Sequence, residues 1–201
     1  MNIVCTIDSS YIRHCAVMLR SLSIHNKEQD LNVYIIHKRL DPVERGRFIR
    51  YVGSFLPSIS MIQIDHTLLR GFPVFGHISI ATYFRLLIPS FLPSLFQRVL
   101  FLDSDIVISD TLADLWTLDM QGQPLAAASD RNLDMQRQRL NMGDKSPYFN
   151  AGVMLIDLDK WRQENILERG LAFARDHSDK LNNWDQDVLN HLFENRVAMI
   201  H

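Results

Sequence analysis

The sequence has no dominant charge and no block of like charges. Its 201 residues carry 21 Lys and Arg against 23 Asp and Glu, for a formal net charge of −2. A nucleic-acid-binding surface usually needs a clear excess of basic residues. The composition therefore argues against a nucleic-acid partner, and an anionic ligand would need a local site.

Long apolar runs are also missing. No uninterrupted stretch approaches the roughly 20 apolar residues that span a bilayer. Residues 1–10 have neither the basic region nor the cleavage site of a signal peptide, so we expect a cytoplasmic protein. Cys5 and Cys15 fit a reduced core better than a disulfide framework.

Several common catalytic motifs are absent. The eight histidines form no pair at i, i+4, and no C-x-x-C occurs, so a zinc site is not indicated. G-x-G-x-x-G, G-x-x-x-x-G-K-[ST] and G-x-S-x-G are missing too. Dinucleotide-binding, P-loop and serine-hydrolase functions therefore lose their main support.

What is present is the composition of a globular protein, with 47% hydrophobic and 22% charged residues. Apolar strand-like runs alternate with helical periodicity, which predicts one α/β domain with a mainly parallel sheet covered on both faces. The predicted strands are 2–8, 31–37, 58–65, 99–103, 125–129 and 149–158. A helix should begin at residue 11, and further helices should cover 42–54, 80–88 (closed by Pro89), 131–141, 163–176 and 185–194, with 68–76 as loop.

Aspartates separated by one residue occur at 103/105, 157/159 and 185/187. Chance alone gives roughly 1.6 such pairs for 18 aspartates, so position must decide their meaning. Asp157 stands between a strand and a helix, where aspartate is a preferred N-cap. Asp103 and Asp105 instead follow a probable central strand at its carboxyl end, where open α/β sheets bind ligands.

The 103/105 pair has the chemistry of a divalent-cation site. In extended chain, residues i and i+2 point the same way, about 7 Å apart, and can share one ion. Oxygen ligands select Mg²⁺ or Mn²⁺, and two protein ligands leave positions for substrate phosphates. The alternative is a turn with two solvated aspartates.

Five stretches in order resemble glycosyltransferase family 8, the retaining enzymes that include bacterial lipopolysaccharide galactosyl- and glucosyltransferases. They are IVCTIDSSY, HISIATYFRL, VLFLDSDIVISDTLADLW, YFNAGVMLIDLDKWR and WDQDVLN. The resemblance implies a GT-A nucleotide-diphospho-sugar transferase fold and Mn²⁺-dependent (or Mg²⁺-dependent) hexose transfer from a UDP-hexose. The acceptor would be a glycan or lipid-linked saccharide, which allows peripheral membrane contact; galactose or glucose, and the oligomeric state, are left open.

Carried over, Asp103 and Asp105 would bind the metal that bridges the UDP pyrophosphate and assists its departure as a Lewis acid. The family completes this site with the histidine of His-x-x-Gly-x-x-Lys-Pro, and the sequence stops at His201 before such a segment. We do not assign His201 as the ligand. The expectation is one GT-A core over residues 1–201 without the closing segment, with weakened metal and UDP binding.

The nucleotide would meet the first strand. The resemblance implies that Asp8 contacts the uracil or ribose and that Tyr11 stacks on the base, with Thr6 and Ser104 also close to the nucleotide. A helix N-cap role for Asp8 and a core position for Tyr11 are equally open.

Arg85 lies among apolar residues in ATYFRLL, so a buried cation there needs an anionic partner. The resemblance suggests contact with the donor sugar or the active-site carboxylates, and the alternative is a surface arginine that snorkels to solvent.

The transferred hexose would contact Asp130, Asn150, Ala151 and Asp185, which offer polar groups to its hydroxyls. Asn150 as a turn or strand-start residue and Asp185 as a helix N-cap are the alternatives.

Gln186 occupies the family position that faces the anomeric carbon. A neutral amide is a poor nucleophile, so the double displacement of retaining glycosidases is not obviously available. The preferred hypothesis is same-face attack through a short-lived oxocarbenium ion pair, in which a leaving phosphate oxygen takes the acceptor proton. Gln186, Asp130 and Asp185 are then the expected catalytic residues.

Two other functions remain open. Asp103, Asp105 and Val107 match D-x-D-x-[TV], with which haloacid-dehalogenase-type phosphatases present a nucleophile, although the motif lies late and the second acidic pair is missing. The second open function is that of a nucleotide-sugar-binding domain without productive catalysis, which the missing closing segment favours.

Overall fold

A mixed sheet forms the centre of the computed structural model, which describes residues 1–65, 80–131 and 133–200. Among these residues the sheet has seven strands in the order β3-β2-β1-β4-β6-β5-β7. The strands are β1 Asn2–Ile7, β2 Asn32–His37, β3 Ile59–Gln63, β4 Arg98–Leu102, β5 Leu125–Ser129, β6 Phe149–Asp157 and β7 Val197–Ile200. Only β6 runs antiparallel to its neighbours in this described sheet, so the predicted mainly parallel α/β fold is confirmed.

Helices cover both faces of the sheet. They are α1 Ile12–His25, α2 Pro42–Gly53, α3 Ile88–Phe91, α4 Ala113–Thr117, α5 Leu133–Leu140, α6 Leu158–Gln163, α7 Ile166–Asp176 and α8 Trp184–Leu192. The buried apolar side chains of α1 and α2 belong to one apolar cluster, and those of α7 and α8 to another. Successive strand residues point to opposite faces, so Ile3 and Cys5 enter the first cluster and Val4 the second.

The two cysteines lie in this core. Cys5 and Cys15 are both free and fully buried, with their Sγ atoms 3.7 Å apart. The prediction of reduced core cysteines is confirmed.

The segment around Pro89 differs from the prediction. A 3₁₀ helix covers Ile80–Leu87 and leads into α3, so Pro89 lies in the first turn of a helix and does not close one. The first-turn N–H groups of a helix have no intrahelical partner, and a proline therefore costs no hydrogen bond there. The predicted loop at 68–76 lies outside the described residues.

The last strand was not predicted. β7 pairs parallel with β5, although its four residues are only half-buried. A short strand with intermediate burial has little periodic signal, so only its pairing with β5 reveals it.

The direction of β6 decides which residues meet. β1, β4 and β5 end at one edge of the sheet, and antiparallel β6 begins there, with Leu102 paired to Val153 and Ser129 to Phe149. Residues that follow three strands and residues that open a fourth therefore come to the same edge.

Candidate active site

A buried arginine connects the polar groups at this edge. Arg85 places Nε 2.6 Å from Asp185 Oδ2 and Nη2 3.1 Å from Asp103 Oδ1. Its Nη1 donates to the Ala151 carbonyl at 2.7 Å, and the guanidinium lies 4.5 Å from the centre of the Phe101 ring. The side chain is only 10% exposed, so the interpretation as a snorkelling surface arginine is wrong. Contact with the carboxylates, the other interpretation, is what the structure shows.

Asp185 belongs to this ion pair and does not cap its helix. The N-cap of α8 is Asn183, and Asp185 lies in the first turn with a side chain 5% exposed. A carboxylate this deeply buried requires a cation, and Arg85 supplies it. The N-cap alternative for Asp185 is therefore wrong.

Asp103 is the partly exposed member of the group, with 35% of its side chain accessible. Burial raises the pKa of its carboxyl, Arg85 works in the opposite direction, and the charge of Asp105 raises the pKa further. The charge of Asp105 therefore acts on Asp103, although less strongly than burial does.

The two aspartates do not share an extended segment. β4 ends at Leu102, and Ser104 and Asp105 lie in a turn, with Ser104 buried and Asp105 exposed. The assumption of strand geometry for the 103/105 pair was therefore wrong, because the chain turns as soon as it leaves the sheet.

Gly152 was missed by the sequence analysis. Its carbonyl accepts from Asp103 N–H at 2.7 Å, and a Cβ at this position would lie 2.6 Å from Asp103 Oδ2 and 2.9 Å from Asn150 Oδ1. Only glycine leaves room for both side chains. A glycine inside an otherwise apolar strand is a signal of close approach and could have identified it.

Gln186 connects the ends of β5 and β6. Its Oε1 accepts from Ala151 N–H at 3.0 Å, and its Nε2 donates to Asp130 Oδ2 at 2.6 Å. A third contact joins Nε2 to the Tyr148 hydroxyl at 3.3 Å. The structure thus brings together Asp130, Ala151 and Gln186, three residues that the sequence analysis had selected.

Asn150 has a local partner. Its side chain is exposed, and its Oδ1 accepts from Gly152 N–H at 2.9 Å. Asn150 is the second residue of β6, so the strand-start alternative describes its position. The amide nitrogen lies at the same edge as Ala151.

The residues near the end of β1 are partly accessible to solvent. Asp8 Oδ1 accepts from Ser10 N–H at 2.8 Å, but the N-cap of α1 is Tyr11, so Asp8 is not that cap. Tyr11 is 43% exposed, its ring 5.3 Å from that of His14, so it is not a core aromatic. Thr6, in β1, is half-buried.

Asp187 and Tyr148 form a second polar cluster beneath Gln186 that the sequence analysis did not assign to the site. Asp187 is fully buried and lies 2.6 Å from the Tyr148 hydroxyl. The D-x-D spacing with Asp185 was the only sequence signal.

Neither a larger cluster of metal-ligand side chains nor a membrane-spanning helix occurs in the described part of the chain. No group of three or more His, Cys, Asp or Glu side chains in residues 1–65, 80–131 and 133–200 is arranged to hold a metal ion. In the same ranges no helix is long and apolar enough to cross a membrane. His201, which was not assigned as a ligand, lies outside the described residues.

The fold and the carboxylate-lined edge define a domain of the GT-A type. The family model for glycosyl transferase family 8 matches residues 2–201. The chain belongs to this family, and the phosphatase interpretation of Asp103 and Asp105 is therefore not supported.

Two bacterial proteins illustrate the similarity. The chain is 29% identical over 205 residues to general stress protein A of Bacillus subtilis, covering 100% of this chain and 72% of that protein. It is 28% identical over 206 residues to the lipopolysaccharide 1,3-galactosyltransferase of Salmonella typhimurium, covering 99% of this chain and 61% of that protein.

The chain is also similar to a solved glycosyltransferase structure. The galactosyltransferase LgtC, in complex with donor and acceptor sugar analogs, is similar with a TM-score of 0.93 and 29% identity, covering 100% of this chain and 73% of that one. The chain thus spans between three fifths and three quarters of the length of these three proteins.

Proposed function

We propose that the domain transfers galactose or glucose from a UDP-sugar to a glycan or lipid-linked saccharide acceptor, with retention of configuration and dependence on Mn²⁺ (Mg²⁺ as the alternative). The observation that carries the proposal is the Arg85 ion pair with Asp103 and Asp185, at the sheet edge where Asp130 and Gln186 also meet. Family relatives are a lipopolysaccharide 1,3-galactosyltransferase and a lipopolysaccharide 1,2-glucosyltransferase, which supports a hexose donor.

The residues present fit a divalent cation. Asp103 and Asp105 offer carboxylate oxygens, which hard cations prefer. Burial raises the pKa of Asp103, and the charge of Asp105 adds to this increase, so a cation at this place would be favoured by both carboxylates. These two residues would hold the ion, whose remaining positions would go to the donor diphosphate. When bound, it would supply charge neutralisation for the departing UDP.

The protein's own residues bind and orient the donor on both sides of the diphosphate. Exposed Tyr11 offers a ring for the base. Thr6 and Asp8 lie at the end of β1, and Ser104 follows the end of the neighbouring strand β4. On the sugar side, Arg85 holds Asp185 in place through a contact of 2.6 Å. The donor hydroxyls would bind to Asp185, Asp130, Asn150, Ala151 and Arg85.

Gln186 would face the reacting carbon as a dipole. Its amide is neutral, and both polar atoms are already hydrogen-bonded to Ala151, Asp130 and Tyr148, so it is suited to orient charge and not to form a bond. The bond from the anomeric carbon to the UDP oxygen breaks, the acceptor oxygen bonds to that carbon on the same face, and its proton passes to the leaving phosphate oxygen. A structure of LgtC with an active-site glutamine replaced by glutamate shows that a glutamine belongs to that enzyme's active site.

The test is release of UDP from UDP-galactose and UDP-glucose, with and without Mn²⁺, with and without saccharide acceptors. We expect Asp103→Asn to lower the rate roughly 100-fold, since several kcal/mol of charge stabilisation depend on the cation. Asp134→Asn is the matched control, because Asp134 is 90% exposed and pairs with Arg137 within α5.

The outcomes separate the candidate functions. Metal-dependent release that is lost in Asp103→Asn but kept in Asp134→Asn, with an α-linked product by NMR, supports the transferase. Calorimetry that finds Mn²⁺-dependent UDP binding without any turnover would contradict it and favour a binding domain. A cytoplasmic location and the extent of the GT-A core over residues 1–201 remain predictions, which cell fractionation and limited proteolysis test.

A further inference from the structure

Asp187 is the most heavily hydrogen-bonded side chain near the site. Arg139 Nη2 donates to both carboxylate oxygens at 2.7 and 2.8 Å, and the Tyr148 hydroxyl donates to Oδ1 at 2.6 Å. The backbone N–H groups of Asn182 and Asn183 donate to Oδ2 at 2.8 and 2.7 Å. These contacts occupy the lone pairs of a carboxylate that is 0% exposed.

The contacts of Asp187 determine how the Tyr148 hydroxyl is used. A phenol has one proton and two lone pairs, and an ionised carboxylate can only accept. The proton therefore goes to Asp187, and the lone pairs receive Asn183 Nδ2 at 2.9 Å and Gln186 Nε2 at 3.3 Å. Burial and then the bond to Asp187 raise the pKa of Tyr148, so the proton stays on the hydroxyl.

The Gln186 amide is held in one of its two orientations as a result. The two Nε2 hydrogens go to Asp130 and Tyr148, while Oε1 receives Ala151 N–H. A flipped amide would set its carbonyl oxygen against the Asp130 carboxylate and its NH₂ group against the Ala151 N–H. Tyr148 is the contact that connects this amide to the buried charge of Asp187.

The backbone in front of Gln186 depends on the same anchor. Trp184, at the start of α8, has φ of 49°, in the left-handed region that non-glycine residues disfavour. The two N–H groups that precede it are those bound by Asp187. Asp187 thus fixes the turn from which Asp185 and Gln186 project.

We propose that Tyr148, anchored by Asp187 and Arg139, is a positioning residue that holds the Gln186 amide in its productive orientation beside Asp130. The role of Tyr148 in turnover rests on the proposed transferase function. Asp187 then acts as an anchor and not as a nucleophile, because four donor atoms make five contacts with its carboxylate. Loss of the Tyr148 hydroxyl would leave donor binding in place and reduce the fraction of bound donor that reacts.

The kinetic test is Tyr148→Phe in the UDP-release and transfer assays. A misplaced reacting group can cost up to 100-fold, and one lost contact of three should lower kcat about tenfold, with KM for the UDP-sugar within about twofold. Tyr34→Phe is the matched control, because Tyr34 lies in β2, away from α8, and its ring packs on that of Phe96. Arg139→Lys keeps the charge but loses the two-oxygen contact, and it should shift kcat in the same direction.

An unchanged kcat in Tyr148→Phe, or a raised KM with kcat intact, overturns the proposal. A loss of kcat that Tyr34→Phe reproduces would also overturn it, because the effect would then not be specific to Tyr148.

A second readout does not need activity. In ¹⁵N-labelled protein, the Gln186 side-chain NH₂ signals, assigned by their absence in Gln186→Glu, should exchange slowly with solvent. Tyr148→Phe should shift these signals and speed their exchange, and Tyr34→Phe should not. Unchanged Gln186 signals in Tyr148→Phe overturn the positioning role. If the signals do change but the wild-type protein releases no UDP, only the transferase function is contradicted.

Discussion

Replacing Arg85 by methionine should destabilise the domain strongly. Methionine keeps the apolar contact with Phe101 but removes the charge that Asp185 needs, and that side chain is 5% exposed. Removal of one partner from a buried ion pair costs about 3–5 kcal/mol, because the other charge is left uncompensated. Asp103 adds little to this figure, because it is 35% exposed and solvent screens its charge.

The assay is thermal and urea unfolding of four proteins, wild type, Arg85→Met, Asp185→Asn and the double variant. For a domain of about 200 residues, a loss of 3–5 kcal/mol lowers Tm by about 6–20 °C. The double variant should recover part of this loss, since the deeply buried carboxylate of Asp185 is gone and the remaining one, Asp103, is partly exposed. Fitting the four values as a cycle gives the coupling energy of the pair.

Additive losses would refute the reasoning. If the double variant is destabilised by the sum of the two single changes, Arg85 and Asp185 are not coupled. The cation at residue 85 would then serve some purpose other than neutralising this carboxylate.

Two further predictions concern close approach and pH. Gly152→Ala should lower Mn²⁺-dependent UDP release at least about tenfold, because its Cβ would displace the Asp103 carboxylate. Gly53→Ala is the control, since its Cβ would have nothing within 4 Å and the rate should stay unchanged. Equal rates in the two variants would contradict the close contact. Hydrogen bonding to Arg196 lowers the pKa of Glu164, so its stabilisation is present above the unfolded pKa and is lost as the pH falls through the folded one. Unfolding of Glu164→Gln from pH 6 down to pH 3 should therefore show a smaller loss of stability than wild type, and parallel curves would refute this.

Local patterns in the sequence predicted most of the fold. Apolar runs and helical periodicity located β1 to β6 within a few residues and indicated the covered, mainly parallel sheet, because both signals are carried by neighbouring residues. The Pro89 helix end was wrong and β7 was missed. Whether Pro89 ends a helix or lies in its first turn depends on the exact start of the helix. β7 is defined by its pairing with β5, which lies far away in the chain.

The sequence predicted which residues belong to the candidate site better than it predicted how they are arranged. Asp103, Asp130, Asp185 and Gln186 were selected, and their mutual contacts through Arg85 and Ala151 follow only from the structure. Gly152 and Tyr148 were not selected, since a glycine in a strand and a buried tyrosine have many ordinary uses. A role for Gly152 follows only from its closeness to Asp103, and a role for Tyr148 only from its contacts with Asp187 and Gln186.

By itself, the sequence determined the order of elements, the family resemblance and the carboxylates at the ends of strands, since these depend on residues close together in the chain. Only the tertiary structure decided that β6 runs antiparallel, which brings residues 149–152 to the edge where β1, β4 and β5 end. It also decided which carboxylate takes the buried cation. Charge pairing depends on distances in space of a few ångströms, between residues 18 to 100 positions apart in the chain, and no local pattern contains that information.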